Sequence, residues 1–365
     1  MTGAPALAAG SIGPLSAAHD VALLDLDGVV YVGPDAVPGV PEALVDVRRS
    51  GMRLGFVTNN AARTPEEVAA HLTELGIAAE PADVITSSQA AATVVAQLLG
   101  PGARVLPVGG PGVATALRAA GLTVVERAED GPDAVVQGYG REVGWAQLAE
   151  AVVAVRNGAR HVATNTDATI PSPRGPLPGN GAMVGVVSAV TGRQPLVTGK
   201  PDPAMHAECV RRTDARRPLV VGDRLDTDIE GARRADARSL LVFSGVTDPR
   251  TLLAAVPEHR PDHLGHDTSA LLAAHPLVAE TTTGWRCGTW EVRPGKAGAL
   301  LLVQTADDSE RPADAGAAVA DDGLDGLRAL CVAHWSRHPD AGATARVVAG
   351  DAAAGAALDR WDLAG

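Results

Sequence analysis

Hydrophobic positions first concentrate in residues 21–33, VALLDLDGVVYVG, an apolar run interrupted by two aspartates one residue apart and then by glycine. A run of about 4–8 apolar residues bounded by a turn signal reads as a strand buried on both faces. Side chains alternate across a strand, so Asp25 and Asp27 emerge on the same side, where the strand ends. Two carboxylates this close are not both ionised cheaply without a cation or a shared proton. Taken alone, a strand that ends in two solvated aspartates explains the motif better. The rest of the chain shifts that balance.

After a turn-rich loop over 33–39, the pattern predicts a helix over 41–49, with Pro41 at a first helical position and Gly51 as the stop. A second strand over 53–57 ends in Thr58-Asn59-Asn60. Thr64 and Glu67 form a capping-box pair ahead of a helix whose apolar positions Val68, Leu72 and Leu75 recur at three to four residues. A third short strand over 83–86 completes a strand–helix–strand–helix rhythm. That rhythm means a parallel, doubly wound sheet.

From Ser87 to about Thr191 the rhythm restarts, with strands over 103–108, 134–136 and 161–164 and helices over 112–120 and 145–156. The first unit resumes afterwards, so this second α/β unit is inserted rather than appended. Gly110-Pro111-Gly112 follows a strand, but Thr115 stands where the last glycine of a dinucleotide fingerprint belongs. An ordinary strand-to-helix turn is the better reading. The resumption is placed at 196–200, with Pro201 opening a helix that contains Met205, Cys209 and Val210. A buried strand over 219–221 ends in Gly222-Asp223, and 240–243 reads as the last strand of the unit. Beyond about Ala274 strand and helix signals thin out, and the remainder reads as a separate appendage.

At 365 residues and 46% hydrophobic content the chain can build two or three domains, although 2% aromatics leaves their cores to Ala, Val and Leu. A net charge of −12 argues against a nucleic-acid or anionic-membrane surface. An anionic substrate must then be won locally, by a metal and a few cations. No apolar stretch reaches the roughly 18 residues of a membrane span. The first cation is Arg48, so the apolar N-terminus lacks the charged region of a signal peptide. Cys209, Cys287 and Cys331 are far apart and form no C-x-x-C pair, which fits a reduced, cytoplasmic chain and excludes a cysteine zinc site. Only Lys200 and Lys296 are lysines among many arginines, and at Lys200 this hints at a need for a compact ammonium.

Four predicted strand ends carry polar groups: Asp25 with Asp27, Thr58 with Asn59, Lys200, and Asp223 with Asp228. Ligands of open parallel sheets bind outside the carboxyl ends of the strands, where these groups should converge. Carboxylates, a hydroxyl and an ammonium together suit the movement of a phosphoryl group. The Asp25 and Asp223 carboxylates with one backbone carbonyl would hold Mg²⁺, a hard cation that takes oxygen ligands. The metal and Lys200 would offset phosphate charge, and Thr58 would donate to a phosphate oxygen.

The set D-L-D-G-V, V-T-N-N, G-K-P and G-D-R-L-D-T-D resembles the four motifs of the haloacid dehalogenase superfamily of phosphohydrolases. The large insertion between the second and third motifs is similar to the C2 cap of its NagD-like branch. Within that branch the chain most resembles the actinobacterial glycerol 3-phosphate phosphatases, which carry a C-terminal extension similar to part of a GNAT acetyltransferase. The resemblance covers roughly residues 18–275. It implies an α/β fold: a doubly wound parallel-sheet core over 1–89 and 192–275, an inserted α/β C2 cap over 90–191, and a GNAT-like α+β extension over 276–365.

The resemblance further implies that Asp25 is the nucleophile, forming an aspartyl-phosphate. Asp27 would protonate the leaving alkoxide and then deprotonate the attacking water. Asp223 would be the second carboxylate on Mg²⁺, with the Asp27 carbonyl completing the protein ligands. Asp228 would lie behind them and orient Lys200 or a metal-bound water. Gly28, Thr58, Asn59 and Lys200 would contact phosphate or substrate.

In the inserted unit, Thr164-Asn165-Thr166-Asp167 and Pro178-Gly179-Asn180-Gly181 are polar and turn-forming, and Asn165 and Asp167 are the substrate-contact candidates there. Two simple tight turns are the competing reading. Glu66, Glu67, Arg233, Arg234 and the pair Asp321 and Asp322 read as solvated faces. His71, His161 and His206 are isolated from one another and receive no catalytic role. The extension lacks the Q/R-x-x-G-x-G/A pattern whose amides would hold the pyrophosphate of coenzyme A, so it reads as structural or for assembly. The expected activity is Mg²⁺-dependent hydrolysis of a small phosphorylated metabolite, glycerol 3-phosphate first. Phosphoglycolate, pyridoxal phosphate and nucleoside monophosphates are the alternatives. A non-catalytic sensor of such metabolites is the competing class, disfavoured by the presence of Asp25, Asp27 and Lys200, and a bifunctional enzyme with an acyltransferase tail is a third. No nucleic-acid partner or membrane span is expected, and homo-oligomer formation is left open.

Overall fold

Strand sequences that are apolar on both faces dictate a sheet covered on both sides, and such a sheet organises the first of two compact units. The computed structural model describes residues 7–170, 172, 174–305 and 322–364, so Asp321 lies outside the described residues. One unit runs up to Leu54 and again from Arg216 onward; the other is Gly55–Ala215. In the first unit Val21–Asp25 pairs in parallel with Pro218–Gly222, this with Arg238–Val242, and this with His263–Gly265. The VALL of the first strand is wholly buried. His263–Gly265 lies beyond the strand read as last; three residues are too short to carry a periodic signal. The helix Val40–Arg49 buries Val40, Ala43, Leu44 and Val47 at helical spacing.

The strand Arg53–Thr58 starts in the first unit and ends in the second, where it pairs in parallel with Val84–Thr86. Thr64 and Glu67 form the expected capping box. A second capping box, Thr86 with Gln89, opens the helix Ser87–Leu99, which the periodic reading passed over. The inserted unit's parallel sheet has the order Leu196–Val197, Arg160–Ala163, Ala134–Gln137, Arg104–Val108, Thr123–Val124. Leu196–Val197 was expected to resume the first unit but pairs with Arg160–Ala163 instead. Pro201 does not open the following helix. That helix is Pro203–Thr213, with Asp202 as its N-cap accepting from the Ala204 N–H at 2.9 Å. Gly112 serves packing, not a nucleotide: a Cβ there would lie 2.4 Å from the Arg63 carbonyl oxygen.

The C-terminal segment is no separate appendage. It forms a five-stranded sheet in sequence order, from Ala279–Glu280 to Val347–Ala349, with helices Asp325–Arg337 and Ala352–Arg360. Trp290, Leu302, Leu330 and Trp335 share one apolar cluster with Ile229, Leu241, Leu252 and Leu264. The helix Asp325–Arg337 is buried on every side up to Trp335, so its sequence shows no amphipathic stripe to read. Two buried arginines tie the segments reciprocally. Arg328 donates to the Leu264 carbonyl (2.8 Å) and to Asp322 and Asp325 (2.6–2.9 Å), so Asp322 is an ion-pair partner rather than a solvated face. Arg260 donates to the carbonyls of His338, Pro339 and Ala341 at 2.6–3.0 Å. No helix among the described residues is long and apolar enough to cross a membrane.

Trp335 concentrates this packing: its indole N–H donates to the Leu253 carbonyl (3.1 Å), and the Arg260 guanidinium lies 5.4 Å from its ring. Trp335→Ala is expected to cost about 3–5 kcal/mol. A lowered denaturant midpoint in circular dichroism checks this, and an unchanged midpoint would mean that the extension does not share the core.

Candidate active site

The parallel register sets Leu24 against Val221, so the chain leaves two neighbouring strands at the same level, through Asp25 on one and Asp223 on the other. Five residues on, the helical turn Leu225–Ile229 brings Asp228 back to them. Asp25, Asp223 and Asp228 each present an oxygen within 4.8 Å of the others. Asp223 and Asp228 are fully buried and Asp25 half-buried. Three carboxylates so placed repel strongly unless a cation lies among them, and an all-oxygen set suits a hard ion such as Mg²⁺.

Backbone groups fix this trio. Asp223 Oδ2 accepts from the Val246 N–H at 2.7 Å, and Asp228 Oδ2 from the Arg224 N–H at 3.2 Å. A Cβ at Gly245 would lie 2.0 Å from Asp223 Oδ2, and one at Gly28 2.4 Å from it. Gly28 also has φ +87°, in the left-handed region that favours glycine. Its N–H donates to the Tyr31 carbonyl at 2.8 Å, folding the loop back. Asp27 is exposed and its carboxylate is not one of the three.

In the second unit a different logic operates, that of neutral amides. Thr58 is buried, and its Oγ1 accepts from the Asn60 N–H at 3.0 Å. The Asn59 side chain grips the Lys200 backbone at both ends: Oδ1 accepts its N–H at 2.8 Å, and Nδ2 donates to its carbonyl at 3.2 Å. Nδ2 also donates to Asp167 Oδ2 at 3.3 Å. The Asn59 carbonyl accepts from Asn165 Nδ2 and from Ser87 Oγ, both at 2.7 Å. Asn180 Nδ2 donates in turn to the Asn165 carbonyl at 2.7 Å. The structure therefore brings Asn59, Asn165, Asp167 and Lys200 together. Asn180 sits buried at the start of the helix Asn180–Thr191, not in a surface turn.

Residues 22–123 match the family described as haloacid dehalogenase-like hydrolase, residues 197–271 a HAD-hydrolase-like family, and residues 287–363 a GCN5-related N-acetyltransferase-like domain. The chain is 45% identical over 347 residues to a D-glycerol 3-phosphate phosphatase of Mycobacterium tuberculosis, covering 94% of each. The chain belongs to the haloacid dehalogenase-like hydrolases. It is also 40% identical over 227 residues to an acid sugar phosphatase of Staphylococcus saprophyticus, covering 62% of this chain and 86% of the relative. Among solved structures it resembles the glycerol phosphate phosphatase of M. tuberculosis in complex with magnesium, with TM-score 0.84, 44% identity, and 97% and 100% of the two chains covered. A p-nitrophenyl phosphatase from Archaeoglobus fulgidus matches at TM-score 0.65 and 27% identity over 70% of this chain and 98% of its own.

Within this hydrolase chain several supporting residues escaped the motifs. Ser87 was detectable from the Thr86–Gln89 capping box that opens its helix. Gly245 has no signal in one sequence, because only the fold brings it against Asp223. His161 is an inward-facing structural residue: it meets Gln137 Oε1 at 3.0 Å, and burial lowers its pKa to about 4, so it is neutral at pH 7. Gly245→Ala is expected to push Asp223 out of place and to weaken Mg²⁺ binding at least about tenfold, since supporting groups around a metal typically count for 10–100-fold. Calorimetric titration of the metal checks this; unchanged affinity would show that the glycine contact does not position the carboxylate.

Proposed function

We propose that the chain is a Mg²⁺-dependent phosphomonoesterase that hydrolyses D-glycerol 3-phosphate to glycerol and phosphate. The observation that carries the reaction class is the trio of carboxylates at adjacent strand ends, two of them buried. The M. tuberculosis relative, matched along nearly its whole length and including the extension, supports glycerol 3-phosphate over phosphoglycolate, pyridoxal phosphate or a nucleoside monophosphate. We keep the division into a core over 1–89 and 192–275, a cap over 90–191 and an extension over 276–365. This is a division by role, distinct from the two compact units. Cys209, Cys287 and Cys331 are buried free thiols, which supports a reducing, cytoplasmic setting.

When bound, Mg²⁺ offsets the charge of the phosphoryl oxygens. Asp25, Asp223 and the Asp27 carbonyl are the residues assigned to hold it, with Asp228 steadying the set. Asp25 attacks phosphorus, the bond to the glycerol oxygen breaks, and the phosphoryl group passes to the carboxylate as an aspartyl-phosphate. Asp27 gives its proton to the leaving alkoxide. It then takes one from the water that attacks the aspartyl-phosphate, which releases phosphate and restores Asp25. Its exposure suits a group that exchanges protons with solvent. Thr58, Lys200 and Gly28 are assigned to contact with the phosphoryl group. Asn59, Asn165 and Asp167 keep the Lys200 backbone in place and are assigned to substrate contact.

Asp25→Asn should lower phosphate release from glycerol 3-phosphate by a factor on the order of 10⁴ or more, because an amide is a poor nucleophile. Near-normal turnover by folded Asp25→Asn protein would overturn the mechanism.

Lys200→Arg keeps the charge but replaces a point donor with a broad fork. Displacement of about 1 Å can cost on the order of 100-fold, so kcat/KM should fall by about that factor. Full activity in this variant would remove Lys200 from the assignment.

A further inference from the structure

The first unit holds a cavity of about 690 Å³ that takes no part in the chemistry above, and it falls in the size range of small-molecule sites. Two of its walls are the segments that hold the carboxylates. Val246 and Thr247 line it, and their backbone N–H groups donate to Asp223, to Oδ2 at 2.7 Å and to the carbonyl at 3.2 Å. Arg224 lines it as well; its N–H donates to Asp228 Oδ2, and its carbonyl accepts the Asp228 N–H at 3.1 Å. The extension also lines it, through Thr344, Ala345, Val347 and Leu363.

The lining has two chemistries. Leu253, Val256, Val347 and Leu363 make an apolar body. Arg224, Arg250, Thr247 and Thr251 supply donors, two of them cationic, on a chain of net charge −12, and Asp226, which pairs with Arg224, and His259 also line it. Both arginines have exposed partners. Arg224 donates twice to Asp226, at 2.9 and 3.1 Å, with side chains 40% and 58% exposed, and Arg250 donates to the Asp362 carbonyl and lies 3.8 Å from its carboxylate, which is 97% exposed. Exposed ion pairs of this kind contribute little to stability.

We propose that this cavity is a regulatory site for a small amphipathic anion, an apolar chain ending in a carboxylate or phosphate, and that its occupancy sets the metal affinity of Asp223 and Asp228. A ligand that presses on the Val246–Thr247 and Arg224 segments acts on the donors that position both carboxylates. Linkage then requires the metal to change the anion's affinity by the same factor. The extension contributes part of the lining that the anion's apolar chain would meet. The proposal goes beyond hydrolysis, and its test reads binding alone, so failure of the phosphatase reading leaves it standing.

The test is calorimetric titration of the full-length protein with decanoate, with acetate and decan-1-ol as comparators. Decanoate is expected to bind one per chain and at least tenfold more tightly than either comparator. Arg250→Leu and Ala345→Trp, the second filling the cavity, should each weaken it at least tenfold in protein shown by circular dichroism to be folded. If Ala345→Trp does not fold, Arg250→Leu carries the comparison. Saturating decanoate should shift the Mg²⁺ dissociation constant at least threefold, and Mg²⁺ should shift that of decanoate equally. No binding, equal binding of decan-1-ol, or undiminished binding by the folded variants overturns the site. Binding with unchanged Mg²⁺ affinity overturns its regulatory role.

Discussion

Three negative groups held within 4.8 Å of one another are the constraint on which the first unit depends. Left to themselves they would separate, so the surrounding chain has to resist their repulsion. Level parallel strands set two of them side by side, and burial of the strands in an apolar sheet denies either one room to retreat. Backbone N–H groups from Val246 and Arg224 then give each buried carboxylate a fixed donor. Arranging this before a cation arrives keeps the reorganisation on binding small, and that is what pre-organisation means in a metal site.

The second unit handles positive charge differently. The Lys200 backbone is held by a side-chain amide: Asn59 mimics a peptide partner and pins the loop on both sides. Asn165 and Asn180 extend the same device inward, each satisfying a carbonyl of the next.

Much of this was legible in the sequence wherever an element carried its own signal. The strand around Asp25 announced itself by an apolar run ended by charges, and the helix after Thr64 by a capping pair and helical spacing. The four motifs gave the carboxylate trio, Asn59 and Lys200, and the polar turns of the inserted unit gave Asn165 and Asp167. What could not be read is what long-range packing decides. Leu196–Val197 is two residues long, and its choice of neighbour depends on a strand more than thirty residues earlier. The helix Asp325–Arg337 has no polar face because tryptophans and leucines from both ends of the chain surround it, so a search for amphipathic spacing passes over it. Asn180 looked like part of a turn because Gly179 and Gly181 flank it, yet those glycines are there to let backbones meet. In a chain with so few aromatic residues, three of the five tryptophans, Trp290, Trp335 and Trp361, fall in this one shared cluster.

The Asn180-Gly181 pair has a chemical consequence as well. In a mobile chain such a pair ages quickly, because the unhindered glycine nitrogen attacks the asparagine side chain and closes a succinimide that opens to aspartate or isoaspartate. Here the glycine cannot be exchanged for a slower neighbour, since a Cβ would lie 2.2 Å from the Thr166 carbonyl oxygen. Folding protects what packing requires: the Gly181 nitrogen donates to the Asp167 carbonyl at 2.9 Å, and the Asn180 amide is occupied by the Asn165 carbonyl. The chemical lifetime of the protein is thereby tied to how often the first turn of that helix opens. Each lapse puts at risk the innermost amide of the chain that holds Lys200.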